Sequence, residues 1–245
     1  MDDKIAQPVA VVTGGNKGLG FETVKQLAMS GYKVILTARN AVAGQNAMQD
    51  LISQGVEVDF LPLDICSSTS IDAFILALES RYQRCDILVN NAGVFFDWES
   101  PASKVQLQDL TNTMETNVFG TINIIQKLLP LLQRSSLAKV INVSSDLGSV
   151  SLAADVDSEY HGVDGIAYRI SKAALNMYSV ELAKEYAGSQ VIVSVVSPGW
   201  CQTDMGTSAA PRTATQGAQS IVGVALEASD KFHGKFVLDG QFLAW

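Results

Sequence analysis

"VVTGGNKGLGFETV", residues 11–24, decides the reading of this chain. An apolar run meets Thr13 and then Gly14, Gly15, Gly18 and Gly20, and the residues beyond suit a helix. Glycines at a strand-to-helix turn let the backbone bend sharply and let a pyrophosphate approach it. The helix start then adds unpaired N–H groups and the positive end of a dipole. The stretch fits neither common phosphate pattern. A Walker loop needs Lys-Ser or Lys-Thr after Gly20, where Phe21 stands. The G-x-G-x-x-G pattern is met only at Gly18 and Gly20, because Thr23 occupies the third glycine position. The alternative is a plain glycine-rich turn.

Short apolar runs recur along the rest of the chain, at 9–14, 33–38, 56–63, 86–93, 139–145, 191–199 and 234–240. They are rich in Val and Ile and do not alternate, as expected of strands covered on both faces. Segments with apolar residues at helical spacing lie between them, at 20–30, 41–54, 68–82, 103–134, 166–187 and 213–227. The order predicts one α/β domain over 1–245. Its core would be a doubly wound, mostly parallel, seven-stranded sheet with helices on both faces, the Rossmann arrangement. Ligands of such sheets bind beyond the carboxyl ends of the strands.

Composition narrows the function. The chain has 245 residues, 47% of them hydrophobic, and a formal net charge of -8. That supports a buried core and argues against nucleic-acid binding. Cys66, Cys85 and Cys201 are odd in number and widely spaced, which predicts reduced thiols rather than a disulfide framework. With only His161 and His233, no metal site is expected. The acidic start lacks the pattern of a secretion signal, and no apolar stretch is long enough to span a membrane. A cytoplasmic protein is expected.

Two further places carry chemistry. At the end of the second strand, "LTARN" offers Arg39 where NAD binders commonly place a carboxylate. A guanidinium suits a 2′-phosphate, and Lys17 in the glycine loop could add a second cation, so NADP(H) is favoured. Either residue could instead be a solvated surface charge. Asp64, ending the third strand, could accept from an adenine amino group with Ile65 against the ring, or could serve a turn. In "YRISKAALNMY", Tyr168 and Lys172 are spaced to share one helix face. An ammonium beside a phenol would lower the phenol's pKa towards neutrality, making a proton donor or acceptor.

Together, "TGGNKGLG", "NNAG" (90–93), "METNVFG", "INVSS" (141–145), "YRISK" (168–172) and "SPGWCQTDM" (197–205) resemble the single-domain short-chain dehydrogenase/reductases, most nearly the NADPH-dependent carbonyl reductases. The motifs stand in the family's order across nearly the whole chain. The resemblance implies hydride transfer from NADPH to a ketone or aldehyde. It implies Tyr168 as general acid, with Lys172 lowering its pKa and bonding the nicotinamide ribose. Ser145 would polarise the carbonyl, in preference to Ser144, because adjacent strand residues face opposite ways. Asn117 would hold a water linking Lys172 to solvent. The cofactor would be held by Gly14, Asn16, Lys17, Gly18, Leu19 and Gly20 in the loop and by Arg39, Asp64 and Ile65. Asn91, Ala92 and Gly93 would line the adenosine side, and Pro198, Gly199, Cys201 and Thr203 the nicotinamide end, with Tyr168 and Lys172.

Phe95, Phe96, Trp98, Trp200 and Met205 lie near strand ends and hint at a bulky apolar carbonyl substrate, though each could be core. The stretch between Ser145 and Tyr168 is longer than in minimal members. It holds Asp155, Asp157, Glu159 and Asp164, and reads as an acidic solvated loop or as part of the substrate wall. It leaves the oligomeric state open, with a monomer favoured. The alternative function is a non-catalytic NADP(H)-binding sensor or scaffold. Too little sequence follows "SPG" for a nucleotide-sugar epimerase.

Overall fold

A computed structural model describes residues 7–98 and 100–245. In chain order it contains β1 (Val9–Val12), α1 (Gly18–Met29), β2 (Lys33–Ala38), α2 (Ala41–Ser53), β3 (Asp59–Pro62), α3 (Ser68–Tyr82) and β4 (Ile87–Asn90). There follow α4 (Leu107–Met114), α5 (Thr121–Leu132), β5 (Ala138–Val143), α6 (Val150–Ala154), α7 (Ile166–Glu185) and β6 (Val191–Val196). The chain closes with β7 (Cys201–Gln202), β8 (Arg212–Thr213), α8 (Ala214–Leu226), β9 (Phe236–Leu238) and β10 (Gln241–Phe242).

The main sheet runs β10-β9-β6-β5-β4-β1-β2-β3. Seven of its strands are parallel, and they are the seven expected from the apolar runs. The short β10 adds an eighth, antiparallel to β9. The strand order reverses between β1 and β4, so loops after these strands diverge and leave a crevice at their carboxyl ends.

Alternation along each strand builds two cores. Val9 and Val11 of β1, Leu88 of β4 and Val140 of β5 pack with Phe74 of α3, Ile124 and Leu128 of α5 and Leu182 of α7. Ala10, Val12, Ile87, Val89 and Ile141 point the other way, onto Val24 and Leu27 of α1, Leu51 of α2 and Ile221 of α8. The strands are apolar throughout because both faces are covered.

Helix starts follow local chemistry. Asn40 caps α2 by accepting from the Ala43 N–H at 3.0 Å, and Ser67 caps α3 by accepting from Ser70 at 3.3 Å. Thr213 and Gln216 form a capping box on α8. By contrast, α1 begins at Lys17 with no side-chain cap, and α7 begins at Gly165, a glycine with φ of 95°. The expected helix 103–134 is interrupted: α4 and α5 are joined through a π-helical stretch, Glu115–Gly120. No helix among the described residues is long and apolar enough to cross a membrane.

Candidate active site

The glycine loop and the residues after β4 lock into one unit at the crevice. Thr13 Oγ1 accepts from the Asn91 and Ala92 N–H groups, both at 3.0 Å. Asn91 Nδ2 in turn donates to the Thr13 and Gly14 carbonyls at 2.9 and 3.1 Å. Gly14 and Gly18 take left-handed φ values of 63° and 53°, which favour glycine. A Cβ on Gly20 would fall inside contact distance of the Gly14 carbonyl and Asn91 Nδ2. The loop therefore presents bare backbone and the uncapped start of α1, which fits a pyrophosphate. Leu19 turns its side chain into the core, so only its backbone faces the loop. Asn16 is half-buried.

Around this cradle, Arg39 is exposed at the end of β2 and has no ion-pair partner among the described residues. Lys17 is not free: its Nζ donates to Asp204 at 2.6 Å, across the loop where Gly18 faces Thr203. Asp64 is half-buried and its Oδ1 accepts from the Cys66 N–H at 3.0 Å, so it serves its own turn. Ile65 is buried beside it, against Gly120.

The second cluster stands at the ends of β4 and β5. Ser144 and Ser145 do face opposite ways. Ser144 Oγ donates to buried Asn176 at 2.6 Å, whereas Ser145 Oγ accepts from the Leu147 N–H at 3.2 Å and bonds Tyr168. Tyr168 is 8% exposed and Lys172 is 5% exposed, one turn apart on α7. Lys172 Nζ donates to the Val143 carbonyl at 2.8 Å and lies 5.5 Å from the Tyr168 ring centroid. Gly93 packs against Asn117 and Lys172.

The expected drop in the tyrosine pKa is not what this geometry gives. Burial pushes the Tyr168 hydroxyl up, the Ser145 hydrogen bond opposes that, and the Asp146 charge adds to it. Burial also pushes Lys172 down, to about 8. The ammonium is directed at a backbone carbonyl, so desolvation outweighs its pull on the phenol.

Asn117 sits in the π-helical stretch, fully buried. Its Oδ1 accepts from the Val94 N–H at 2.8 Å, and its Nδ2 donates to the Val94 carbonyl at 2.9 Å and to Ser171 Oγ at 3.0 Å. Both amide hydrogens are thus committed. Ser171 passes the link on, donating to the Tyr168 carbonyl at 2.7 Å.

On the far side, Ser197 Oγ donates to Asp146 Oδ2 at 2.7 Å and accepts from the Gly199 N–H at 3.1 Å. Gly199 has φ of 70°, and any side chain there would meet Arg212. Cys201 is buried, its thiol directed at the Pro198 carbonyl at 3.3 Å, so only backbone is available for a ligand. Trp98 stacks on Phe95 with centroids 3.9 Å apart, and Phe95 stacks on Tyr168. Phe96 and Trp200 are exposed and Met205 is half-buried. Asp155, Asp157, Glu159 and Asp164 are solvated, while the insert's backbone is tied down by Arg169 to the Tyr160 and Val163 carbonyls at 2.9 and 2.6 Å. Asp97, Asp146 and Asn176 are buried parts of the site that the motifs did not single out. Their partners lie far along the chain, and no local pattern marks them.

A phosphate cradle at the switch point of a doubly wound sheet, facing a buried tyrosine and lysine, defines the class: a nucleotide-dependent oxidoreductase. The chain belongs to the short-chain dehydrogenase family, whose description "short chain dehydrogenase" matches residues 8–214. It is 34% identical to the Short-chain dehydrogenase anuI of Penicillium roqueforti, over 98% of this chain and 97% of that one. It is 32% identical to Carbonyl reductase (NADPH) 1 of Sus scrofa, over 97% and 94%. Among solved structures, the NADPH-bound carbonyl reductase from chicken fatty liver superposes with a TM-score of 0.86 at 27% identity, covering 98% of this chain and 99% of that one.

Proposed function

We propose that the protein reduces ketones or aldehydes with NADPH, Tyr168 acting as general acid. The observation that carries this is geometric: the buried Tyr168 stands one turn from buried Lys172 on α7, with the Ser145 hydroxyl beside its phenol. Bound NADPH would supply the hydride. Ser145 and Tyr168 donate to the carbonyl oxygen as it gains negative charge. The phenol then delivers its proton, and the nearby Lys172 ammonium stabilises the phenolate left behind. Asn117 braces Val94 and Ser171 with its side chain, so a water linking Lys172 to solvent would have to be held by its main chain.

For the cofactor, the uncapped start of α1 and the bare loop from Gly14 to Gly20 suit the pyrophosphate, and Arg39 suits the 2′-phosphate. Lys17 joins it only by leaving Asp204. Asp64 and Ile65 would border the adenine, Asn91 to Gly93 would line the adenosine side, and the backbone of Pro198, Gly199, Cys201 and Thr203 would hold the nicotinamide end. The names of the Sus scrofa and chicken relatives support both carbonyl substrate and NADPH. Exposed Phe96, Trp98 and Trp200 near the strand ends would favour bulky apolar carbonyls, and a cytoplasmic location would suit this chemistry. The test is a panel of ketones, aldehydes and quinones, following consumption of NADPH and of NADH. Oxidation of NADPH dependent on one of these carbonyls supports the reading, and none across the panel would refute it.

A further inference from the structure

The helix that carries Tyr168 and Lys172 begins without a cap of its own. Gly165 has a left-handed backbone and no side chain, and the first N–H groups of a helix have no intrahelical acceptors. The acceptor comes from elsewhere. Asp97, 70 residues earlier in the loop after β4, accepts from the Ala167 N–H on Oδ2 at 2.6 Å. Its Oδ1 accepts from the N–H of Tyr168 itself at 3.3 Å. Asp97 is 2% exposed, a place where a carboxylate stands only if it is hydrogen-bonded and its charge is met. The start of α7 supplies both.

The same loop is fastened three residues earlier, where Asn117 grips both polar groups of Val94. Between the two anchors Phe95 lies on the Tyr168 ring and fills the space that Gly165 leaves open. The Tyr168 backbone is thus held on both sides: its N–H by Asp97 and its carbonyl by Ser171, which Asn117 supports.

We propose that Asp97 is a positioning residue, which fixes the first turn of α7 and so sets where the Tyr168 hydroxyl stands relative to Ser145. Its catalytic consequence rests on the reductase reading above. Asp97 touches no reacting group; it acts through the backbone of the acid.

The test uses Asp97→Ala and Asp97→Asn in the full chain. Asn keeps one acceptor for Ala167 and loses the charge. Native-state hydrogen exchange at the Ala167 and Tyr168 amides is read against that at Ile141 in the β5 core. Turnover with a carbonyl substrate is counted per NADPH-binding site. In Asp97→Ala, exchange at Ala167 and Tyr168 should quicken while Ile141 stays protected. The kcat per site should fall on the order of tenfold to a hundredfold, the scale of a small misplacement, with KM and NADPH affinity nearly unchanged. Asp97→Asn should lie between it and wild type. If the Ala variant does not fold, the Asn variant decides on the same readouts.

A folded variant with wild-type exchange at both amides, or with undiminished kcat per site and only a lower melting temperature, would overturn the proposal. A wild-type protein inactive on every carbonyl would instead refute the reductase reading. The exchange arm would still decide whether Asp97 holds the Tyr168 backbone.

Discussion

Phe95 lies flat on Tyr168: the ring centroids are 4.2 Å apart and the planes are 5° from parallel. Stacking of this kind contributes about 0.5–1.5 kcal/mol beyond the area it buries. It also keeps water from the phenol, and burial is the first cause of the raised Tyr168 pKa. Phe95→Ala should therefore do two separable things. Stability should fall by about 2 kcal/mol, less than for a fully buried phenylalanine, measured by denaturant unfolding. The ultraviolet tyrosine titration should show one phenol ionising at lower pH than in wild type. An unchanged titration would mean that Phe95 does not shield Tyr168.

Lys172 sets a limit on the alkaline side. Tyr168 keeps its proton well above neutrality, whereas Lys172 loses its charge near pH 8. Carbonyl reduction should be level up to about pH 7.5 and decline above about pH 8 as the ammonium is lost. The stability sign follows from linkage. The folded pKa of Lys172 is depressed below the unfolded value of about 10.4, so between these values the unfolded chain binds more protons. Stability contributed at this site then rises with pH. Lys172→Met should gain stability over wild type at pH 7 and lose that advantage as pH rises through 8 to 10. Melting temperatures of both proteins across that range check it.

Arg39, exposed at the end of β2, is the residue proposed to receive the 2′-phosphate. Arg39→Asp should weaken NADPH by roughly tenfold to a hundredfold, the loss of a charge-assisted hydrogen bond of about 1.5–3 kcal/mol. NADH should be little affected. Lys17→Ala should matter less, because Lys17 already has a partner in Asp204. Fluorescence titration with both nucleotides separates the cases. Equal effects on NADPH and NADH would remove the 2′-phosphate assignment.

The glycine loop tolerates no side chain at Gly20, because the Gly14 carbonyl and Asn91 Nδ2 occupy the space. Gly20→Ala should cost about 1–3 kcal/mol of stability through overpacking and should abolish detectable NADPH binding. A variant that binds NADPH normally would show that the loop relaxes without consequence.

Much of this was legible in the sequence because the signals are local. Val- and Ile-rich strands buried on both faces gave seven parallel strands, and the glycine loop, which alone fits no common phosphate pattern, pointed to a dinucleotide once read with the other motifs of the family it resembles. β10 and the β7–β8 pair are only two residues long per strand and leave no pattern. The π-helical stretch around Asn117 was hidden because a helix with one extra residue per turn keeps a helical apolar pattern. Asp97 carries no signature at all, since its partners lie 70 and 71 residues away. The spacing of Tyr168 and Lys172 placed them together but said nothing of burial, and burial reverses the direction of the tyrosine shift.

The most direct measurement compares NADPH oxidation by wild type and Tyr168→Phe with one active ketone, alongside NADPH binding followed by fluorescence. The expected result is a loss of about a hundredfold or more in kcat, the scale of a missing general acid, with NADPH affinity unchanged. Turnover near the wild-type rate in Tyr168→Phe would contradict it.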